Sequence, residues 1–389
     1  MNISNIKFYL ENNSNYNLRD QQSQVYGAPY VRPFALDKFM RQHQIDFQQV
    51  EFEDTDYDTW YPINIYFFDF NCDYFSYFDP KVLDRVKQKQ LRILFIYSEP
   101  DDPWAIETRL KELCEQHSID RELIFFISGN TVADSIDGMA YLQYHEYLFE
   151  IQNTAIPEPT IFERKTKKYT CLNRVHKQYR KEFVYNLWKD GLTEDAYVSY
   201  GNVVNKDTSD DFAIVNDDFI KPINKQSENI EYISNDFDQV LPMSADNLNT
   251  DNHNDHSLSV DYLFTDSYWN IVMETYLNAT GGVFLTEKTF KPIKYGQPFV
   301  ILGTTDSLQH LQEQGYKTFS PWIDESYDQE QDVRFRWYAI MEITRKIANT
   351  SLEDLHRQHT EMTSVILHNQ AWFKRNKRQE LEQALKRLP

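Results

Sequence analysis

Thr286, Glu287 and Lys288 open a predicted helix directly after the Gly281-Gly282 turn. The amino end of a helix attracts anions, because its first N–H groups have no intrahelical acceptor. Lys288 adds a mobile point charge to that end. Glu287 is out of place beside a phosphate, yet it suits the hydroxyls of a ribose or other sugar. Glu274 closes an apolar run (YWNIVME), where a buried carboxylate without a partner is costly; it must reach a cleft or find a partner. Arg180 lies in a helical stretch, either facing solvent or supplying a second cation. Glu99 sits in the loop SEPDDP after a strongly apolar run. It suits a general base or a cap for the helix that starts near Pro103. A nucleotide-sugar substrate would need all of these parts. Cations or helix starts would hold the diphosphate leaving group, and a carboxylate would take the acceptor's proton.

These residues depend on the elements that carry them. Residues 91–97 (LRILFIY) read as a buried strand, 104–117 as an amphipathic helix and 123–128 (LIFFIS) as the next strand. That βαβ unit predicts a parallel sheet, in which ligands gather at the carboxyl ends of strands. The run 63–70 (INIYFFDF) predicts another buried strand, 80–90 a helix, and 1–60 a polar, irregular stretch with weak strand signals. After the linker TAIPEPT, the second half predicts strands at 169–172, 197–200, 268–274 and 297–302. It predicts helices at 177–189, 307–314, 329–349 and 352–388, with Gly191 and Gly315 as stops. Residues 202–258 read as a polar insertion. The expected fold is α/β and GT-B-like: two Rossmann-like domains facing a cleft. Residues 1–160 would form the acceptor side, 161–360 the donor side, and 361–389 a helix packing back.

Composition narrows the function classes. A chain of 389 residues suits two domains, and a net charge of -20 disfavours binding to phosphate backbones. Aromatic residues reach 15%, and Tyr is common where sugars or bases bind. Cys72, Cys114 and Cys171 lack disulfide or zinc spacing. No apolar run is long enough to span a bilayer and no signal peptide is evident, so a cytoplasmic protein is expected. The cluster His253, Asn254, Asp255, His256 and the Asp-x-Asp pairs at 54–56 and 236–238 are weaker metal candidates, each read as solvated surface. Trp372 and Phe373 beside Lys374, Arg375, Lys377 and Arg378 suggest a peripheral membrane contact, with packing across the domains as the other reading.

Three segments, in order, resemble the donor-site signature of the α1,3/4-fucosyltransferases. They are Ile271-Val272-Met273-Glu274, then Gly282-Val283-Phe284-Leu285-Thr286-Glu287-Lys288, then Gly296-Gln297-Pro298-Phe299-Val300-Ile301-Leu302-Gly303. Thr170-Cys171-Leu172-Asn173 with Arg180, the pair Tyr200-Gly201, and Ser98-Glu99-Pro100 are similar to further family motifs. The resemblance implies a GT-B fold and an inverting transferase with GDP-fucose as leading donor. It implies that Arg180, with Arg174 as alternative, binds the diphosphate, and that Glu99 is the catalytic base. Donor contacts would come from Asn173, Tyr200, Glu274, Thr286, Glu287 and Lys288. No cofactor is expected, the nucleotide sugar being a substrate, and no metal is expected if these cations neutralise the diphosphate. The acceptor would be a glycan or another hydroxyl compound. The chain departs from the family at Leu172, Thr275 and Pro292. Two other readings use the same residues: a transferase acting on modified nucleic-acid bases, and an inactive nucleotide- or sugar-binding protein.

Overall fold

The computed structural model describes residues 6–10, 31–32, 46–65, 68–97, 99–143, 155–175, 177–203, 235–245, 260–278, 281–375 and 377–389. The chain divides into two compact units. One comprises Met1–His145, Ala279–Phe284 and Arg375–Pro389, the other Glu146–Asn278 and Leu285–Lys374. The sequence reading put the first divide at 160; the structure puts it at 145, before the Pro-rich linker.

The first unit is built on β1 (Lys7–Tyr9), β2 (Val31–Arg32), β3 (Gln48–Val50), β4 (Thr59–Ile65), β5 (Arg92–Tyr97), β6 (Ile124–Ser128) and β7 (Met139–Tyr141), with α1 (Pro80–Lys87) and α2 (Pro103–His117) as its helices in this stretch. The strand order is β3-β1-β4-β5-β6-β7 and all these pairs are parallel; β2 pairs antiparallel with β4. All six residues of β5 are buried, as a strand covered on both faces requires. Ile93, Phe95 and Tyr97 pack with Ile106, Leu110, Leu113 and Phe126 in one core. Both helices start in the same way. Pro80 and Pro103 take the first helical turn, where a missing N–H costs nothing, and Asp79 and Asp102 accept from first-turn backbone N–H groups.

The second unit runs β8 (Lys167–Val175), α3 (Gln178–Lys189), β9 (Ala196–Val203), the short α4 (Asn235–Asp238) and α5 (Asp261–Thr265), then β10 (Ser267–Met273), α6 (Glu287–Tyr295), β11 (Phe299–Leu302), α7 (Ser307–Glu313), α8 (Val333–Asn349), α9 (Leu352–Glu361) and α10 (Thr363–Arg375). Its four strands are parallel, in the order β11-β10-β8-β9. From β8 the chain moves to β9 on one side, then returns to β10 on the other. The order therefore reverses between β8 and β10, and ligands favour the crevice outside the carboxyl ends of strands at such a point. β8 and β9 come very close at those ends. A Cβ on Gly201 would lie 2.2 Å from the Arg174 carbonyl oxygen, and the register shifts between Asn173 and Val175. The last helix, α11 (Lys377–Lys386), belongs to the first unit. There Arg92 lies 4.0 Å over the Trp60 ring and donates to the Pro389 carbonyl at 2.9 Å.

Several expectations shift. The strand expected at 63–70 begins at Thr59 and ends at Ile65. The helix expected at 329–349 begins at Val333, because Asp332 caps it by accepting from the Arg334 N–H. The helix expected over 352–388 is three helices. The first 60 residues, expected to be irregular with weak strand signals, hold β1, β2, β3 and the start of β4. Most of the 202–258 insertion, including the His253–His256 cluster, lies outside the described residues.

Candidate functional site

The carboxyl end of β10 is where the candidate residues of the second unit meet. Glu274 follows β10 directly and is fully buried. Its carboxylate accepts from the Thr286 N–H at 2.9 Å, the Thr286 hydroxyl at 2.5 Å, the Thr289 hydroxyl at 2.6 Å and the Thr275 N–H at 3.3 Å. Charge-assisted bonds of this kind are what make a buried carboxylate tolerable. They also fasten the start of α6 to the strand end. Thr286 is the N-cap of α6 and accepts from the Lys288 N–H. Thr289 lies one turn further on, so both hydroxyls face Glu274. Glu274, expected as a donor contact, holds Thr286 and Thr289 in this structure, because a buried anion takes the donors nearest to it.

Lys288 and Arg180 reach the same strand end from two directions. The Lys288 ammonium donates to Thr275 Oγ1 at 3.1 Å, Thr286 Oγ1 at 3.2 Å and Glu287 Oε1 at 2.9 Å. Its side chain is 27% exposed, whereas that of Glu287 is 4% exposed. Arg180 is 2% exposed. Its Nη2 donates to the carbonyls of Met273 at 3.0 Å and Glu274 at 2.8 Å. The Tyr179 hydroxyl donates to the Glu274 carbonyl at 2.7 Å. Two cations, one from the first turn of α3 and one from α6, thus end on the Met273–Thr275 segment. Nothing in the sequence spacing pointed to Tyr179, and Thr275 stood out only as a departure from the family pattern. Thr289 was legible in principle, since it stands three residues after Thr286.

The other expected donor residues cluster at the end of β8. Asn173 is 1% exposed. Its Nδ2 donates to Cys171 Sγ at 3.3 Å, and its Oδ1 has no hydrogen-bond partner among the described residues. Arg174, half-buried, lies beside Gly201. Tyr200 is buried, with its hydroxyl 3.5 Å from the Lys177 carbonyl. Cys171 cannot serve as a nucleophile, because burial pushes its thiol up to about 12.

In the first unit, Glu99 lies partly exposed just beyond β5. Asp102, accepting from the Trp104 N–H at 2.9 Å, caps α2. Asn130, wholly buried, donates to the Pro100 carbonyl at 3.0 Å and so holds the residue next to Glu99. A Cβ on Gly282 would lie 1.9 Å from Asn130 Oδ1, and the Val283 N–H donates to Thr131 Oγ1 at 3.0 Å. The Gly-Gly turn before Thr286 is therefore packed against the carboxyl end of β6.

Two of the weaker candidates, Asp56 and Asp238, have structural partners. Asp56 pairs with Lys7 and accepts from the Thr59 hydroxyl. Asp238 pairs with Lys181 at 2.6 Å, while Phe237 packs against Tyr185 and Trp188. Among the described residues no group of three His, Cys, Asp or Glu is placed to hold a metal ion. The aromatic pair considered for a membrane contact is engaged inside the unit. Phe373 is buried and stacks on Phe290, and Trp372 donates to the Gln314 carbonyl at 2.6 Å. Among the described residues no helix is long and apolar enough to cross a membrane.

No family model and no curated protein matches the sequence. One solved structure, described as "Crystal Structure of alpha1,3-Fucosyltransferase", aligns over 96% of this chain and 92% of that one, at 8% identity and a TM-score of 0.37. That degree of likeness does not by itself fix the activity.

Proposed function

We propose that the chain is a glycosyltransferase that binds a nucleoside-diphosphate sugar at the carboxyl ends of β8 and β10, with GDP-fucose as the leading donor. The carrying observation is that Arg180 and Lys288 both end on the Met273–Thr275 segment, at the point where the strand order reverses. In this reading Arg180 and Lys288 stabilise the diphosphate, with Arg174 nearby. The phosphate takes the place of one of the three acceptors now around Lys288. Glu287, Asn173 and Tyr200 contact hydroxyls or the base, while Glu274 and Thr286 hold the α6 start in place. Glu99 acts as base. The acceptor oxygen gives its proton to the Glu99 carboxylate and attacks the anomeric carbon. The bond from that carbon to the phosphate oxygen breaks, and the diphosphate leaves with the electron pair. Attack opposite the leaving group inverts the anomeric centre. Two cations at the leaving group supply charge that a divalent ion supplies elsewhere, so transfer is expected to survive EDTA.

The test is turnover and binding with a panel of nucleotide sugars. Glu99→Gln is expected to abolish transfer while leaving donor binding within twofold. Wild-type transfer by Glu99→Gln removes the base assignment, and failure of every nucleotide sugar to bind removes the donor site.

A further inference from the structure

The cations at the start of α3 are not all accounted for by Arg180. Lys177 is the N-cap residue of α3, a helix of 12 residues that starts without a side-chain cap. It is 7% exposed. Its carbonyl accepts from the N–H groups of Arg180 and Lys181 at 3.1 and 3.0 Å. Its ammonium makes no hydrogen bond or ion pair among the described residues, although Lys181 pairs with Asp238 and Arg180 with the 273–274 carbonyls. The residue is buried while its ammonium meets no described anion or acceptor, so that charge is left to solvent or to a ligand. A fold that keeps such an ammonium at an uncapped helix start has the two ingredients of an anion site, a positive side chain and a positive dipole end. The unsatisfied Asn173 Oδ1 stands near the end of β8, just before that helix start. It is an acceptor, suited to a hydroxyl or N–H carried by the same ligand rather than to the anion itself.

We infer that Lys177 and the start of α3 bind a phosphate of the nucleoside diphosphate, forming a second anion contact beside Arg180 and Lys288. The inference rests on the donor-site reading above. It adds a contact from the helix start rather than from the end of β10. It also explains why α3 begins with Lys where Ser, Asp or Asn would cap it better.

The experiment is isothermal titration of the full chain with ADP, GDP, UDP and CDP, and with the nucleoside of whichever binds best. Lys177→Met, Lys177→Arg and Lys288→Ala are compared with the wild type. Lys177→Met is expected to weaken the diphosphate at least tenfold and leave the nucleoside unchanged, and Lys177→Arg to recover most of the loss. The ligand-free melting temperature of Lys177→Met should stay level, because the ammonium has no partner among the described residues to lose. Unchanged diphosphate affinity in Lys177→Met, with Lys288→Ala weakened, overturns the Lys177 assignment and leaves the donor site standing. A melting temperature many degrees lower in Lys177→Met also overturns it, since the ammonium would then serve the fold. If no nucleoside diphosphate binds the wild type, both assignments fail.

Discussion

Glu274 illustrates how a single residue's part is settled by its neighbours. Its position after an apolar strand was readable, and so was the need for a partner. That the partners would be two threonine hydroxyls and two backbone N–H groups was not readable, because hydroxyl rotamers depend on how α6 leaves the strand. Each buried hydrogen bond to a carboxylate contributes about 1.5–3 kcal/mol. Thr289→Val is therefore expected to lower unfolding stability by roughly that amount in urea denaturation; a loss under about 0.5 kcal/mol would contradict the arrangement. Lys288 is 27% exposed and is the ion-pair partner of the buried Glu287 carboxylate, so its removal also costs stability. Lys288→Ala is accordingly expected to lower stability and, in the folded protein, to lose at least tenfold in donor affinity or turnover, about 1.4 kcal/mol. The buried thiols give a third check. Burial pushes Cys72 and Cys171 up to about 12 and Cys114 to about 11. All three should resist a thiol reagent until the chain is unfolded, and prompt reaction in the native state would contradict their burial.

The elements were legible where periodicity and caps agreed. β5, α2 and β6 appear within a residue or two of where LRILFIY, the amphipathic run and LIFFIS placed them. α3 and α7 end where Gly191 and Gly315 stop them. Legibility failed in three physical situations. β1, β3 and β7 are three-residue strands, too short for an alternation to register. Residues 352–388 carry helical periodicity throughout, so periodicity alone could not show where the helix breaks. The close approach of β8 to β9 needs Gly201, but a glycine in a strand announces only that something comes near. That approach makes a sharp expectation. Gly201→Ala places a Cβ against a backbone carbonyl, which cannot yield as a side chain can, and should destabilise the second unit by several kcal/mol or prevent folding. Near-wild-type stability of that variant in urea would contradict the strand geometry that forms the β8 side of the site.

At the scale of the molecule, the fold class and two parallel-sheet units were legible, whereas the division into discontinuous segments was not, since nothing local marks 279–284 or 375–389 as returning to the first unit. The acidity of the chain, -20 overall, coexists with buried groups that resist protonation. Burial, with Lys165 nearby, pushes His359 down to about 3. The unfolded chain takes up that proton near 6.5, so this contribution is complete above that pH and is lost as pH falls from about 6.5 towards 3. Its slope is at most about 1.4 kcal/mol per pH unit. Buried Glu325 and Asp328, raised by desolvation, act in the opposite sense, so the check is a difference: His359→Gln should flatten the fall in stability between pH 6 and 4 relative to wild type. Parallel curves would contradict the assignment. The central claim is that a nucleoside diphosphate is held where β8 and β10 end. A crystal structure of the chain with GDP tests it most directly. The account expects the diphosphate within hydrogen-bond distance of both Arg180 and Lys288, and a nucleotide seated elsewhere, with those two side chains keeping their present partners, would contradict it.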